Sequence, residues 1–494
     1  MNTFIIQAGG CGSRMNNLTT IKPKCIVPLF GKPIIFHWFD LYPDDEFLII
    51  CDYKKEVLKK FINKFRPNCK VKFIETNKKG TCSGIKTALT FIPNNIPFIF
   101  VWSDLLPLEK QNFNYNGINI GLTSEQCSFP CRWKLENKIL IEENNIINGV
   151  SGLFTFSDKS LIANIPEEGP FTEFLVNTKI NINSFIINDI IDVGTEEQFR
   201  KYHTNNRFFN EVIIDQNTVS KRAKIKNYEK LINDELDWYE YVKRLGFTRI
   251  PKILSKNPFI MSRINGVNPF LKEPSESFFL DVLDTLKALH SLEETKSDIK
   301  EMQIVYNEKT FERVYSVSEL IPFFNKKIIN INSKDCINPF HPEHIEEFKN
   351  KISSLYNVSI FTLIHGDPTF SNIISCDNKA FLIDPRGYFG KTKLIGDPRY
   401  DFAKLYYSFF GNYDNINSKN YFIEVTNDCV FFDIKNHGWS TLESLFFKNI
   451  PYLEKDIKLI HILIWFSLCG YVIEDYSSIL LAFYNGVKLY NELS

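Results

Sequence analysis

Thr3-Phe-Ile-Ile-Gln7 runs without a break into Ala8-Gly-Gly-Cys-Gly-Ser-Arg14, and this junction decides the fold of the first half of the chain. A short run of β-branched and aromatic residues reads as a buried strand. Three glycines directly after it read as a loop whose backbone N–H groups can converge on phosphate oxygens. Outward from this point the runs FLIIC, VKFIE and FIFVW recur as far as Val101, separated by segments of helical period at Lys54–Phe65 and Gly84–Phe91. Strands alternating with helices predict βαβ units, hence an α/β domain with a doubly wound, mostly parallel sheet. Ligands of such sheets bind beyond the carboxyl ends of the strands, where the glycine loop and Asp104 both fall.

The chain has 494 residues, more than one hydrophobic core can organise. Its 44% hydrophobic and 23% charged residues are ordinary for a globular protein, and 45 Phe predict aromatic-rich cores. Lys plus Arg equal Asp plus Glu at 58 each, which removes any electrostatic reason to expect nucleic acid or an anionic membrane as partner. Small-molecule substrates are expected instead, and a homo-oligomer stays open. Eleven scattered cysteines without a C-x-x-C pair predict reduced thiols and a cytoplasmic location. The N-terminal apolar run lacks the basic start and cleavage site of a signal peptide. Leu459–Val472, interrupted by His461, is too short to span a bilayer and reads as a core helix.

A second pattern begins near Phe208. NEVII and TVSKRA predict an antiparallel hairpin, followed by a helix over Tyr228–Leu245, a strand at FIMSRI, and mostly helical sequence after Ser275. A loop-rich stretch between FTLIHGDPTFSN and YDFAKLYYS breaks the helical part. The expected domains are 1–205 and 206–494, with no Gly/Ser-rich or Pro-rich linker between them.

In the first domain, Lys22-Pro23-Lys24 follows the glycine loop. Pro rigidifies the turn, and Lys24 offers a point charge suited to a phosphoryl oxygen. This segment resembles the nucleotidyltransferases that make nucleoside-diphosphate sugars and CDP-activated alcohols, whose G-G-x-G-[ST]-R and K-P-K signatures match Gly9–Arg14 and Lys22–Lys24. The resemblance implies that Gly9, Gly10, Gly12 and Ser13 bind the nucleotide, with Gly80 and Thr81 of GTCSG in the loop that contacts the base. It further implies that Arg14 and Lys24 act on phosphates, and that Asp104 and Asp192 of D-V-G-T hold Mg²⁺. A carboxylate in Ser-Asp-Leu has another common role, that of a helix cap.

In the second domain, His365-Gly366-Asp367-Pro-Thr-Phe-Ser-Asn372 is followed twelve residues later by Ile383-Asp384. A carboxylate for an attacking hydroxyl, an amide oxygen for Mg²⁺ and a later metal-binding Asp have the spacing of a kinase catalytic loop. The residues resemble the aminoglycoside phosphotransferase and choline kinase family. That resemblance implies an α+β protein-kinase-like fold, with a small lobe over about 206–266 and a large helical lobe over 267–494. Asp367 is then the base, Asn372 and Asp384 are the magnesium ligands, and Asp401 of G-D-x-x-x-D braces the loop. Lys221 and Glu235 fit the family's strand lysine and helix glutamate, although Lys224 and Lys226 lie close by and exposed charges are the commoner case. No glycine-rich loop precedes Lys221, and Phe259–Gly266 is the expected hinge beside adenine. His290 reads as a packed helix residue, and Arg386 as either a substrate contact or a structural ion pair.

Together these readings predict a bifunctional transferase using Mg²⁺, ATP and a second NTP, expected to be CTP or UTP. A small hydroxyl compound is phosphorylated and then joined to a nucleotide, giving an NDP-sugar for surface polysaccharide. Choline or an amino alcohol converted to a CDP derivative is the alternative, and a ligand-binding regulatory protein with inactive domains is a third. Aminoglycoside resistance would leave the first domain without a role.

Overall fold

The structure is a computed structural model; it describes residues 2–76, 78–178, 181–203, 210–223, 229–472 and 474–493. Two compact units are present: Met1–Thr204 with Glu474–Tyr476, and Asn205–Ile473 with Ser477–Ser494. The expected boundary at 205/206, Phe208, Lys224, Lys226 and Tyr228 lie outside the described residues.

The first unit is built on β1 (Thr3–Gln7), β2 (Glu46–Ile50), β3 (Lys70–Ile74), β4 (Phe98–Trp102), β5 (Leu105–Pro107), β6 (Ile118–Leu122), β7 (Val150–Phe156), β8 (Ile182–Ile186) and β9 (Ile190–Asp192). Seven of these form one sheet in the order β8-β6-β7-β4-β1-β2-β3. All its neighbours are parallel except β7, which runs antiparallel to β4 and β6. The parallel strands are connected through α1 (Ile34–Leu41), α2 (Lys55–Phe65) and α3 (Thr81–Leu89). Phe4, Ile5 and Ile6 are buried to within about 1% because β1 is central and covered on both faces. Gly84 lets α3 lie against β2, since a Cβ there would come within 2.4 Å of Ile50 Cγ2. α3 starts at Thr81, three residues earlier than periodicity suggested, because Gly80 turns the chain at φ +92° immediately before it.

In the second unit the strands β10 (Asn210–Ile214), β11 (Thr218–Ala223), β12 (Ile253–Ser255) and β13 (Phe259–Ser262) form an antiparallel sheet in the order β10-β11-β13-β12. The helix α4 (Glu229–Arg244) follows β11 and buries Trp238, Tyr239 and Val242. Beyond Ser275 come α5 (Glu276–His290), α6 (Lys309–Tyr315), α7 (Pro398–Phe409) and α8 (Glu454–Cys469). The last carries His461 within an almost fully buried run from Leu459 to Cys469, a core helix as its apolar residues predicted. Among the described residues no helix is long and apolar enough to cross a membrane.

This part is less purely helical than its sequence suggested. Ile328–Ile331, Lys334–Ile337, Tyr421–Val425 and Cys429–Ile434 form a four-stranded sheet whose inner pair is parallel across about 100 residues of chain. Short strands brought together over such a separation leave little local periodicity to read.

Candidate active sites

At the carboxyl end of β1 the glycine loop turns at Gly12 (φ +65°), and Met15 N–H donates to its carbonyl at 2.8 Å. Gly9 packs so close to Asp52 that a Cβ would lie 2.6 Å from Oδ2, whereas Gly10 faces open space. Ser13 and Arg14 are exposed at the start of the following turn. The loop therefore presents amide groups and a guanidinium to solvent at the sheet's ligand edge.

Asp104 is not a helix cap. It occupies the turn between β4 and β5, and β5 pairs antiparallel with β9 so that Leu105 opposes Asp192. Val193 N–H donates to the Asp104 carbonyl at 2.9 Å, which fixes the two turns together. Gly194 marks the result: a Cβ on it would lie 2.9 Å from Asp192 Oδ1, 3.2 Å from Asp104 Oδ2 and 3.5 Å from an Arg14 Nη. Lys24 Nζ is 2.5 Å from Asp104 Oδ2. Four residues singled out in the sequence thus meet at one point. Lys22 does not join them; it is 2% exposed and ion-paired with Asp475 of the same compact unit.

The electrostatics of this point favour a cation. Burial, and then the Asp104 charge, push the Asp192 carboxyl up to about 7, against the opposing effect of Lys24. Asp104 Oδ1 is buried without a hydrogen-bond donor among the described residues. An orphaned carboxylate oxygen facing a second, reluctantly ionised carboxylate suits a hard divalent cation whose other ligands would be phosphate oxygens and water. The expected base-contact loop is anchored elsewhere: Thr81 Oγ1 accepts from Phe171 N–H at 2.7 Å, and a Cβ on Gly80 would strike the Gly169 backbone.

In the second unit Lys221, on β11, reaches Glu235 Oε1 of α4 at 2.6 Å and also bonds Asp384. Both Lys221 and Glu235 are buried, so neither is the exposed charge that is the commoner case. Burial disfavours the ammonium, but the charges of Asp384 and Glu235 outweigh it and raise Lys221 above its ordinary value. Asp384 sits in left-handed backbone (φ +53°), its N–H donating to Tyr239 Oη at 3.0 Å.

The loop carrying Asp367 follows the strand β14 (Ile360–Leu363). Asn372 Nδ2 donates to the Asp367 carbonyl at 2.8 Å and stands 3.3 Å from Oδ2. Fully buried Asp401, on α7, accepts from the N–H groups of His365 and Gly366 at 2.8 and 2.7 Å. His290 Nε2 also lies 3.0 Å from it, which gives that histidine a structural partner. His365 Nδ1 accepts from Asp367 N–H while Nε2 faces the Ile383 carbonyl, so the ring is neutral with its proton on Nε2; burial lowers its pKa. Phe259–Gly266 comprises β13 and an irregular segment, with Gly266 packed against the Ser375 carbonyl.

Sequence reasoning missed Lys404, whose Nζ is 3.1 Å from Asp367 Oδ1. Helical spacing carries the signal, since Lys404 lies three residues beyond Asp401 on α7 and so on an adjoining face. Among the described residues no group of three or more His, Cys, Asp or Glu side chains could hold a metal ion. Any cation here would rest on a carboxylate pair in the first unit, or on one carboxylate and an amide oxygen in the second.

No protein-family model matches the chain. The first unit is nucleotidyltransferase-like. The D-glycero-alpha-D-manno-heptose 1-phosphate guanylyltransferase of Campylobacter jejuni is 26% identical over 224 residues, 41% of this chain and 99% of that protein. The bifunctional protein GlmU of Methanocaldococcus jannaschii is 32% identical over 146 residues, 29% of this chain but only 34% of its own length. HddC from Yersinia pseudotuberculosis, complexed with GMP-PN, overlays 41% of this chain and 98% of its own at 22% identity and a TM-score of 0.34.

Proposed function

We propose that the first unit transfers a nucleotidyl group from an NTP to a sugar 1-phosphate, and that the second phosphorylates a small hydroxyl compound from ATP, the chain supplying an NDP-sugar for surface glycan synthesis. The observation that carries the first assignment is the convergence of Arg14, Lys24, Asp104 and Asp192 about Gly194. A phosphate oxygen attacks the α-phosphorus, the bond to the bridging oxygen breaks, and pyrophosphate leaves. A dianion must approach a polyanion, so cationic groups have to offset the repulsion. The loop amides and Arg14 hold the leaving pyrophosphate, and Lys24 meets the α-phosphate or the acceptor. Mg²⁺ on Asp104 and Asp192 would polarise the phosphoryl oxygens. A relative acting on a heptose 1-phosphate supports a sugar over an amino alcohol, and its guanylyl specificity adds GTP to CTP and UTP as donors to test.

The second assignment rests on the Lys221–Glu235–Asp384 set beside Asp367 and Asn372. Asp367 takes the hydroxyl proton as the acceptor oxygen attacks the γ-phosphorus, and ADP leaves. Asn372 and Asp384 would hold Mg²⁺, Lys221 positions the ATP phosphates, and Asp401 fixes the loop.

The test is a two-reaction screen of the purified chain. ATP consumption is measured against hexoses, amino sugars, polyols, choline and ethanolamine, and pyrophosphate release from each NTP with the matching phosphates. Pyrophosphate release with a sugar 1-phosphate is expected. ATP turnover without any NTP turnover would remove the first assignment, and the reverse would remove the second.

A further inference from the structure

Asp367 stands between two different surroundings. Its Oδ2 faces Asn372, whereas Oδ1 faces Lys404 at 3.1 Å. Further cations lie near the Asp367 loop, beginning with Arg386, whose Cβ packs against Gly366. Arg386 lies with its guanidinium carbon 4.1 Å above the Tyr388 ring and an Nη 3.3 Å from Tyr400 Oη. Its Nε is buried with no acceptor among the described residues. Lys309, one turn before Arg313 on α6, borders a small cavity together with Tyr400. Burial, and then the charges of Arg386, Arg313 and Lys404, drive the Lys309 ammonium well below its ordinary range. Arg313 reaches the same cavity, donating an Nη to the carbonyl of Ser467, which also borders it, at 3.0 Å. Tyr400 ties these side chains together, since it bonds Arg386 and borders the same cavity as Lys309, and Lys404 completes the set at Asp367.

We infer that the acceptor phosphorylated at Asp367 is itself an anion, a sugar or polyol already bearing a phosphate or a carboxylate that Lys309, Arg313, Arg386 and Lys404 receive. This deepens, and rests on, the phosphotransfer reading of the second unit. A buried guanidinium nitrogen left without an acceptor is costly, and an oxyanion supplies what it lacks. A neutral sugar would leave the cations crowded together, and choline or an aminoglycoside would add to their repulsion. The cations come from α6, α7 and the segment after Asp384, whereas the groups assigned to ATP and its metal are Lys221 on β11, Asn372 and Asp384. Lys404 bonds Oδ1 of the base while Asn372 stands at Oδ2, which assigns the cations to the acceptor rather than to the γ-phosphate.

The experiment measures ADP release by the full chain with matched acceptors: glucose, glucose 6-phosphate, glucuronic acid and choline. In parallel, calorimetry follows the binding of glucose 6-phosphate and inorganic phosphate. The anionic sugars are expected to exceed glucose by a hundredfold or more in kcat/KM. Lys309→Met and Arg313→Gln should raise the KM of the anionic acceptor tenfold or more, with the KM of ATP unchanged and Arg313→Lys restoring most of the loss. A preference for glucose or choline, or a rise in the KM of ATP instead, would overturn the inference while leaving phosphotransfer standing. If no acceptor were turned over, phosphate binding that weakens in Lys309→Met and Arg313→Gln but survives Arg313→Lys would uphold the anion site and remove the kinase reading. Binding indifferent to these changes would remove the anion site as well.

Discussion

Asp104 and Asp192 reach the same glycine from two strands, because Leu105, the residue after Asp104, opposes Asp192 in an antiparallel pair. The pairing places two carboxylates together in a buried setting, where burial and then the Asp104 charge oppose ionisation of Asp192. Asp104→Asn should therefore lower the Asp192 pKa from about 7, with burial still holding it above an ordinary aspartate. A carbon-detected NMR titration of the Asp carboxyls reads this directly. An unmoved Asp192 titration would show that Asp192 does not sense the Asp104 charge.

Asp104→Ala should reduce pyrophosphate release by about 10²–10³-fold, the scale on which losing one group that stabilises developing charge is felt. ATP-dependent phosphorylation should persist, and the thermal midpoint should report a folded chain. Loss of both activities in a folded protein would contradict two independent sites.

The complementary change is Asp367→Asn. The amide keeps the shape of the loop but cannot take the hydroxyl proton, so ATP turnover should fall by roughly 10²–10⁴-fold, the span attributed to positioned general bases. Pyrophosphate release from a supplied sugar 1-phosphate should be unaffected. Wild-type phosphorylation in this variant would show that Asp367 is not the base.

Much of this arrangement is legible in the sequence because the informative residues lie close together along the chain. TFIIQ before the glycines, and the runs FLIIC, VKFIE and FIFVW, gave β1 to β4 nearly residue for residue, since buried parallel strands are short and continuously apolar. His365, Asp367, Asn372 and Asp384 sit within twenty residues, so their spacing carried their relationship. Lys309, Arg313 and Lys404 were invisible for the opposite reason: they come from two helices far apart in the chain, α6 and α7, and a cation on a helix looks the same whether it faces water or a site. The antiparallel pairing of β5 with β9, which decides the company of Asp104, is likewise a tertiary fact. Three-residue strands offer no period to read.

Lys221 is held between Glu235 and Asp384 with about 5% of its side chain exposed. Lys221→Met takes from buried Glu235 the ammonium that it bonds, and should cost about 3–5 kcal/mol of stability. Adding Glu235→Leu replaces the buried carboxyl with an apolar side chain, so the double variant should be more stable than Lys221→Met alone. Denaturant unfolding of the wild type, both singles and the double gives the coupling. Additive losses would mean that the pair does not interact in the folded chain. Every variant lacking Lys221 should lose phosphoryl transfer, including the stabilised double.

Asp414 offers a test of the second unit that needs no substrate. Its carboxylate accepts from Ser371 N–H at 3.1 Å and from the Ser408 hydroxyl, which in turn accepts from Phe370 N–H, so it props the loop that carries Asn372. Burial pushes its pKa up to about 6, only partly offset by these hydrogen bonds. An unfolded aspartate titrates near 3.9, so between about pH 4 and 6 the folded chain retains a proton that the unfolded chain has released. The resulting stabilisation is complete below about pH 4 and is lost as the pH rises through 6. The change is on the order of 3 kcal/mol for two pKa units. Asp414→Asn stays neutral, accepts from Ser371 through its carbonyl oxygen and can donate to Ser408, so it should not show this loss. Urea unfolding from pH 4.5 to 8 should find the variant gaining on the wild type as the pH rises and then running parallel above about 7. A constant difference across the range would mean that Asp414 ionises normally and that the loop is not held by a protonated carboxyl.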